Sequence, residues 1–242
     1  MHLYGGYTNY GQNIGILMLD TRFPRIPGDI GNAKTYPGIP IRYRVVRNAR
    51  ADRIMGQDPD PALLQPFIDA AKELEAEGCR AITTSCGFLA KFQKELAASV
   101  NIPVFTSGMM LAHLAKQMIG PDKKVAIFTE RAWNITEEHF TSLGFTSQDA
   151  NIVVTGMAEG SPFPALFIDG GTEEDLEVLE DAMREMTERH MKLHPDTGAI
   201  VFECTNFGPF TKLVHDMAKV PVFTINWLVE MMAKAVDPDH YF

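Results

Sequence analysis

Cysteine is scarce in this chain: 3 in 242 residues are too few to staple a secreted scaffold, so Cys79, Cys86 and Cys204 are expected as thiols in a reducing compartment. No Cys-x-x-Cys occurs. Among the histidines the one suggestive spacing, His190 with His194, has no cysteine nearby. Zinc sites need three or four convergent ligands, so no metal is expected and that pair reads as a solvated helix end. Positive charge is also short, with 22 Lys and Arg against 31 Asp and Glu and a formal net charge of −9. This argues against nucleic acid or an anionic membrane surface as partner. A small anionic ligand would have to be met locally, by backbone N–H groups or a few placed side chains. No stretch approaches the ~18 apolar residues of a membrane span. Met1–Tyr10 lacks the basic start and apolar run of a signal peptide, so a cytoplasmic protein is expected.

What is present is an ordinary globular composition, 45% hydrophobic and 22% charged, enough to bury a sizeable core. Short β-branched runs alternate with longer amphipathic ones, the pattern of parallel α/β units. Strands are expected at 12–19, 41–46, 80–85, 103–105, 124–128, 152–155, 199–203 and 220–223. Helices are expected at 61–77, 88–98, 108–119, 136–143, 173–193, 209–218 and 227–235. Pro61, Gly78 and Gly120-Pro121 act as start and stop signals. Near-continuous apolar strands imply sheets covered on both faces. Gly160–Pro164 reads as a surface turn or a segment that helps to shut a cleft.

Two segments repeat. Arg80–Phe88 and Gly198–Asn206 each place a cysteine just after an apolar run, and each is followed by Pro-Val-Phe-Thr at one spacing (103 − 86 = 221 − 204 = 17). The offset, 204 − 86 = 118 residues, is about half the chain and suggests two similar lobes related by a pseudo-twofold axis. Residues 1–106 with 222–242 would form the first, and 107–221 the second, with the last helix crossing back to the first. Ligands of open parallel sheets bind beyond the carboxyl ends of the strands. Facing lobes would therefore bring Cys86 and Cys204 to opposite walls of one cleft.

Each of these cysteines precedes a helix, whose N–H groups and dipole favour thiolate. A thiolate is a competent base for an α-proton, and a second thiol opposite can return a proton from the other face. Cys79 stands at a strand's entry and reads as a buried small hydrophobe. Thr84, Ser85, Thr106, Ser107, Thr129, Thr205 and Asn206 sit at expected strand exits beside Gly87. There, hydroxyls, amides and N–H groups can hold a carboxylate and the enolate-like charge of proton removal, or merely cap helices. Arg22 and Arg25 introduce a Pro/Gly-rich loop, 26–32. It is either a lid whose arginine pairs with a substrate carboxylate or a solvated surface.

At these residues, with Gly15–Asp20, Thr84–Gly87 and Glu203–Asn206, the chain resembles the aspartate/glutamate racemase superfamily over most of its length. The resemblance implies a pair of flavodoxin-like lobes, each a parallel sheet flanked by helices. It implies 1,1-proton transfer between Cys86 and Cys204, with neither pyridoxal phosphate nor a metal. It also places Asp20 beside the site, where it orients a substrate ammonium, tunes Cys86 or caps a turn. Glutamate racemases follow the first cysteine with Asn-Thr and the second with Thr-His. Here Gly87-Phe88 makes the first wall more apolar, and Asn206 replaces a histidine that assists acid/base chemistry. The expectation is a cofactor-independent racemase or epimerase of an aspartate- or glutamate-like amino acid or a hydantoin, with a homodimer possible in such a family. Its rivals are a decarboxylase- or maleate-isomerase-like member, a silent amino-acid-binding protein, and a redox pair joining Cys86 to Cys204.

Overall fold

Each half of this computed structural model holds one sheet of four parallel strands, and the two sheets share one strand order. The structure describes residues 2, 3 and 5–238; Met1, Tyr4 and residues 239–242, included in the expected first lobe, lie outside them. In the first sheet, β1 (Ile14–Met18), β2 (Ile41–Val45), β3 (Ala81–Thr84) and β4 (Val104–Phe105) run in the order β2-β1-β3-β4. In the second, β5 (Lys124–Thr129), β6 (Ile152–Gly156), β7 (Thr197–Phe202) and β8 (Val222–Phe223) run β6-β5-β7-β8. Every strand of β1 and β3 is buried along its length, as apolar runs in a doubly covered parallel sheet must be. The α/β architecture of two equivalent lobes is therefore present. β3 and β7 occupy the same central position in their sheets, which carries Cys86 and Cys204 to equivalent strand ends.

The helices are α1 (Ala51–Ile54), α2 (Leu64–Ala76), α3 (Gln93–Ser99), α4 (Met110–Met118), α5 (Glu137–Ser142), α6 (Pro162–Phe167), α7 (Leu176–Leu193), α8 (Thr211–Ala218) and α9 (Ile225–Val236). The helix after the fourth strand of each sheet packs on the other lobe's sheet. α4 buries Ala112 and Ala115 against Val125, Ile127, Ala199 and Val201, while α9 buries Ile225, Leu228 and Val229 against Ile14, Ile16 and Phe105. This reciprocal exchange ties the lobes together beneath the cleft. Phe67, Phe88, Phe128, Phe163, Phe202 and Phe207 are fully buried, each burial contributing about 1.5–3 kcal/mol.

Three local expectations change. The segments after the cysteines are 3-10 turns, Gly87–Phe92 and Thr205–Phe210, before α3 and α8 begin; the second contains Pro209, which has no N–H to donate. Residues 160–164 are turn only at their start: Gly160 lies in a turn closed by the Ser161 N–H donating to the Ala158 carbonyl at 3.1 Å, after which Ser161 caps α6 and Pro162 opens it. His190 is not solvated. On α7 it shares the buried face of Met183, Met186 and Thr187 and lies between Thr155 Oγ1 at 2.7 Å and Thr197 Oγ1 at 2.9 Å.

Burial holds His190 down to about 4, with His194 and Arg189 adding to the effect. Burial also holds His139 down to about 4, helped by Lys91. The unfolded chain then binds protons that the folded chain refuses between about pH 6.5 and 4, so this contribution to stability is present above that window and is lost as pH falls through it. The expected result is a difference in urea midpoint between native protein and His190→Gln that moves in the variant's favour as pH falls through this range. An identical slope in that variant would show that His190 is not the group responsible.

Candidate active site

The cleft is made by strand ends. β3 runs out into Ser85 and Cys86, β7 into Glu203 and Cys204, and β5 into Glu130. The lobes interlock here, since Thr205 Oγ1 donates to the Ser85 carbonyl at 2.8 Å, while within the first lobe Ser85 Oγ accepts the Leu19 N–H at 2.9 Å. Ser85, Cys86 and Gly87 line one wall of a single cavity, and Glu203, Cys204, Thr205 and Asn206 line the other. Leu19, Phe23, Arg25, Met55 and Phe167 complete it. The cavity is nearly closed, with about 10 Å³ open to the centre of a water molecule, roughly one water's worth. A far larger groove, about 720 Å³, lies between Tyr36–Pro40 and α9. Glu230, Lys234 and Asp237 line it but neither of the duplicated thiols does, so two-thiol chemistry points to the smaller cavity.

Arg25 enters the cavity from the 26–32 side. Its guanidinium pairs with Asp29 at 2.7 Å, donates to Thr21 Oγ1 at 3.1 Å and stacks 4.4 Å from the Phe23 ring centroid. Asp29 also accepts from Asn206 Nδ2 at 2.8 Å, while Asn226 Nδ2 donates to the Gly28 carbonyl at 2.8 Å. The loop is thus strapped to the second lobe. With room for one water inside, a substrate enters only if this strap, or α6 with Phe167, shifts.

Of the residues picked out by sequence, Cys86, Cys204, Ser85, Gly87, Thr205, Asn206 and Arg25 line the cavity. Thr84 and Thr129 lie just beneath it. Thr84 Oγ1 donates to the Thr106 carbonyl at 2.7 Å, and Thr129 Oγ1 donates to Glu203 Oε2 at 2.7 Å. Ser107 is spent on the Met109 N–H at 3.2 Å, at the start of the α4 region. Asp20 and Arg22 are not brought to the thiols. They line, with Arg50 and Asp169, a surface hollow that adjoins the cavity across Phe23 and Phe167, and Asp20 accepts the Asn48 N–H at 3.2 Å. That correction has a simple cause: the chain turns outward after Leu19, so the first cation to re-enter is Arg25.

Sequence reading misses two carboxyl groups. Glu130 and Glu203 are each 1% exposed, and Glu130 Oε2 and Glu203 Oε1 have no hydrogen-bond partner. Cys204 Sγ donates to Glu130 Oε1 at 3.0 Å. Burial pushes Glu130 up to about 8 against the lowering effect of its Cys204 contact, and burial likewise pushes Glu203 up to about 7. The strand-exit rule that selects Thr129 applies equally to its neighbour Glu130, and that was the available signal.

Burial also raises both thiols well above the ordinary range. Glu203 adds to the rise at Cys86, and Glu130 and Glu203 add to it at Cys204. The expected thiolate bias is therefore overturned at rest, because desolvation and two nearby acids outweigh a few N–H groups. A group whose folded value is raised stabilises below its unfolded value and loses that contribution as pH rises through the folded one. The unliganded protein should accordingly lose stability between about pH 4.5 and 8. From pH 6.5 upward the two histidines no longer oppose this trend, so a thermal midpoint that stays flat from pH 6.5 to 8 would contradict the buried carboxyls.

Among the described residues no group of three or more His, Cys, Asp or Glu is placed to hold a metal ion, and no helix is long and apolar enough to cross a membrane.

The chain resembles a dimethylsulfoniopropionate lyase of Durusdinium sp. clade D, 30% identical over 215 residues that cover 87% of this chain and 70% of that one. Dimethylsulfoniopropionate lyase 3 of Emiliania huxleyi (strain CCMP1516) is 25% identical over 233 residues, 93% of this chain and 60% of the relative's length. Among solved structures, allantoin racemase from Klebsiella pneumoniae superposes with a TM-score of 0.67 at 16% identity, covering 93% of this chain and 87% of that chain; this likeness is one of fold alone. The Asp/Glu/Hydantoin racemase model matches residues 40–233, and the chain belongs to that family.

Proposed function

We propose that this protein removes the proton α to a small carboxylate without a cofactor, and that its substrate is a β-sulfonio carboxylate of the dimethylsulfoniopropionate type, cleaved by β-elimination. The observation that carries the reading is the pair of thiols from equivalent strand ends on opposite walls of one nearly closed cavity. Such a carbon acid is weak, and its deprotonation needs a base held in contact and donors aimed at the developing enolate. Backbone N–H groups of Phe88 and Leu89 reach Cys86, and that of Asn206 reaches Cys204; a carboxylate seated between the turns would meet the same donors. Among the described residues Arg25 supplies the one cation lining the cavity.

The lyase relatives favour elimination, and so does the lining. A sulfonium carries a positive charge into apolar surroundings, and the ring of Phe167 or Phe23 together with the unpartnered Oε1 of Glu203 suits it. Once the α-proton leaves, its electron pair forms the double bond and the neutral thioether departs with no acid required. The balance is one unsaturated carboxylate, one thioether and one proton.

The two-sided pair of thiols favours a second reading, 1,1-proton transfer on an amino acid or hydantoin. One experiment separates the two. The protein is incubated in D2O with dimethylsulfoniopropionate, with L- and D-aspartate and glutamate, and with substituted hydantoins, while headspace thioether and the α-proton signal are followed. Thioether release with acrylate supports elimination, and α-exchange without release supports racemisation. Neither from any compound would sink both.

A further inference from the structure

The mechanism above uses two thiols and leaves one buried acid without a role. Glu130 stands one residue beyond β5, its Met157-bonded carbonyl fixing the backbone at 3.1 Å, and its side chain is sealed from solvent. One oxygen receives Cys204 Sγ at 3.0 Å and the other receives nothing. Cys86 has no comparable side-chain acceptor among the described residues. The charged groups facing Glu130 are Glu203, which raises it further, and the Arg131–Asp169 pair, whose members oppose each other at 3.1 Å separation. A purely structural carboxyl would not be left with an unsatisfied oxygen in the interior, where that omission is costly.

We propose that Glu130 is a positioning residue that accepts the Cys204 thiol proton, making Cys204 the base of the pair. The Sγ–H bond breaks as an Oε1–H bond forms. The freed sulfur pair then takes the substrate's α-hydrogen, and the Cα–H electrons go to the β-carbon as the thioether leaves, or to the enolate if the carbon is reprotonated. At the end Cys204 is again a thiol and Glu130 carries the extra proton, which leaves with product. Desolvation strengthens the carboxylate as a base, bringing it closer to the thiol it must deprotonate. The assignment rests on the proposed α-proton removal, but it can be read without any substrate.

The test follows alkylation of Cys204 by iodoacetamide, quantified by peptide mass spectrometry from pH 6 to 10, in native protein and Glu130→Gln. If Glu130 accepts the proton, the native rate rises through a limb near pH 8. At that pH Glu130→Gln reacts at least tenfold more slowly, and Glu130→Asp recovers part of the rate. If Glu130 is only a negative neighbour, removing its charge lowers the thiol's pKa and Glu130→Gln alkylates faster, which overturns the assignment. A native Cys204 that alkylates with no limb below pH 9 overturns it too and needs no folded variant. Should alkylation behave as expected while no thioether or α-exchange appears, the substrate reading fails and the dyad stands.

Discussion

Replacing Cys204 by alanine is expected to lower the rate of α-proton removal by about 10²–10⁴-fold, the usual contribution of a placed general base. Binding should hardly change, because the N–H groups and Arg25 proposed to meet the carboxylate are untouched. The fold should survive as well. Cys204 is small and 4% exposed; losing its sulfur also leaves Glu130 Oε1 without a partner, so the change costs about 1–3 kcal/mol. The informative comparison is Cys86→Ala. Elimination ends when the thioether departs and returns no proton to carbon, so Cys86 would then only shape the opposite wall, and its loss should cost about tenfold or less. Racemisation requires donors on both faces, and the two variants would then fall together. Initial rates of thioether release and α-exchange, each compared with a urea midpoint, distinguish the cases. A Cys204→Ala protein that retains full turnover would remove the thiol from the chemistry altogether.

The two thiols were legible because each stands at the end of an apolar strand in a duplicated context, and a parallel sheet always exposes that end. The two-lobed α/β fold followed from the same repeat, but a lobe boundary at 222 did not, since β8 pairs with β7 in the second sheet and α9 alone packs on the first. Other features depended on what folding brings from afar. Glu130 and Cys204 are 74 residues apart in sequence, and nothing local marks their contact. Arg25 and Arg22 look alike in a Pro/Gly-rich stretch, yet only Arg25 finds Asp29 and the Phe23 ring. The helix-end effect on the thiols was read correctly in sign but not in weight, because burial is a tertiary quantity. His190 was misplaced for the same reason: its two threonine partners come from β6 and β7.

Gly87→Ala is the second substitution with a large expected effect, and its sign is opposite to the usual one. Gly87 does not have a left-handed backbone, so in open space alanine there would stabilise by about 0.4–1 kcal/mol through the unfolded chain. The site has no such space. A Cβ at Gly87 would lie 2.3 Å from the Glu203 carbonyl oxygen and 2.5 Å from its Oε1, and the nearer obstacle is backbone from the other lobe, which cannot rotate aside. Overpacking of this kind costs about 1–3 kcal/mol, and here relief can come only by parting the walls that carry Cys86 and Cys204. The Asn that glutamate racemases carry after their first cysteine would meet the same obstruction. The placement of Glu203 and the absence of a side chain at 87 are thus one structural choice. Gly87→Ala should lower the urea midpoint at unchanged m-value and reduce turnover more than tenfold, whereas Gly38→Ala, which has open space around it but a left-handed backbone, should cost stability and leave turnover intact. A Gly87→Ala protein as stable and as active as the native one would mean that the lobes already open at this seam, and the closed cavity would then not be the state that performs the chemistry.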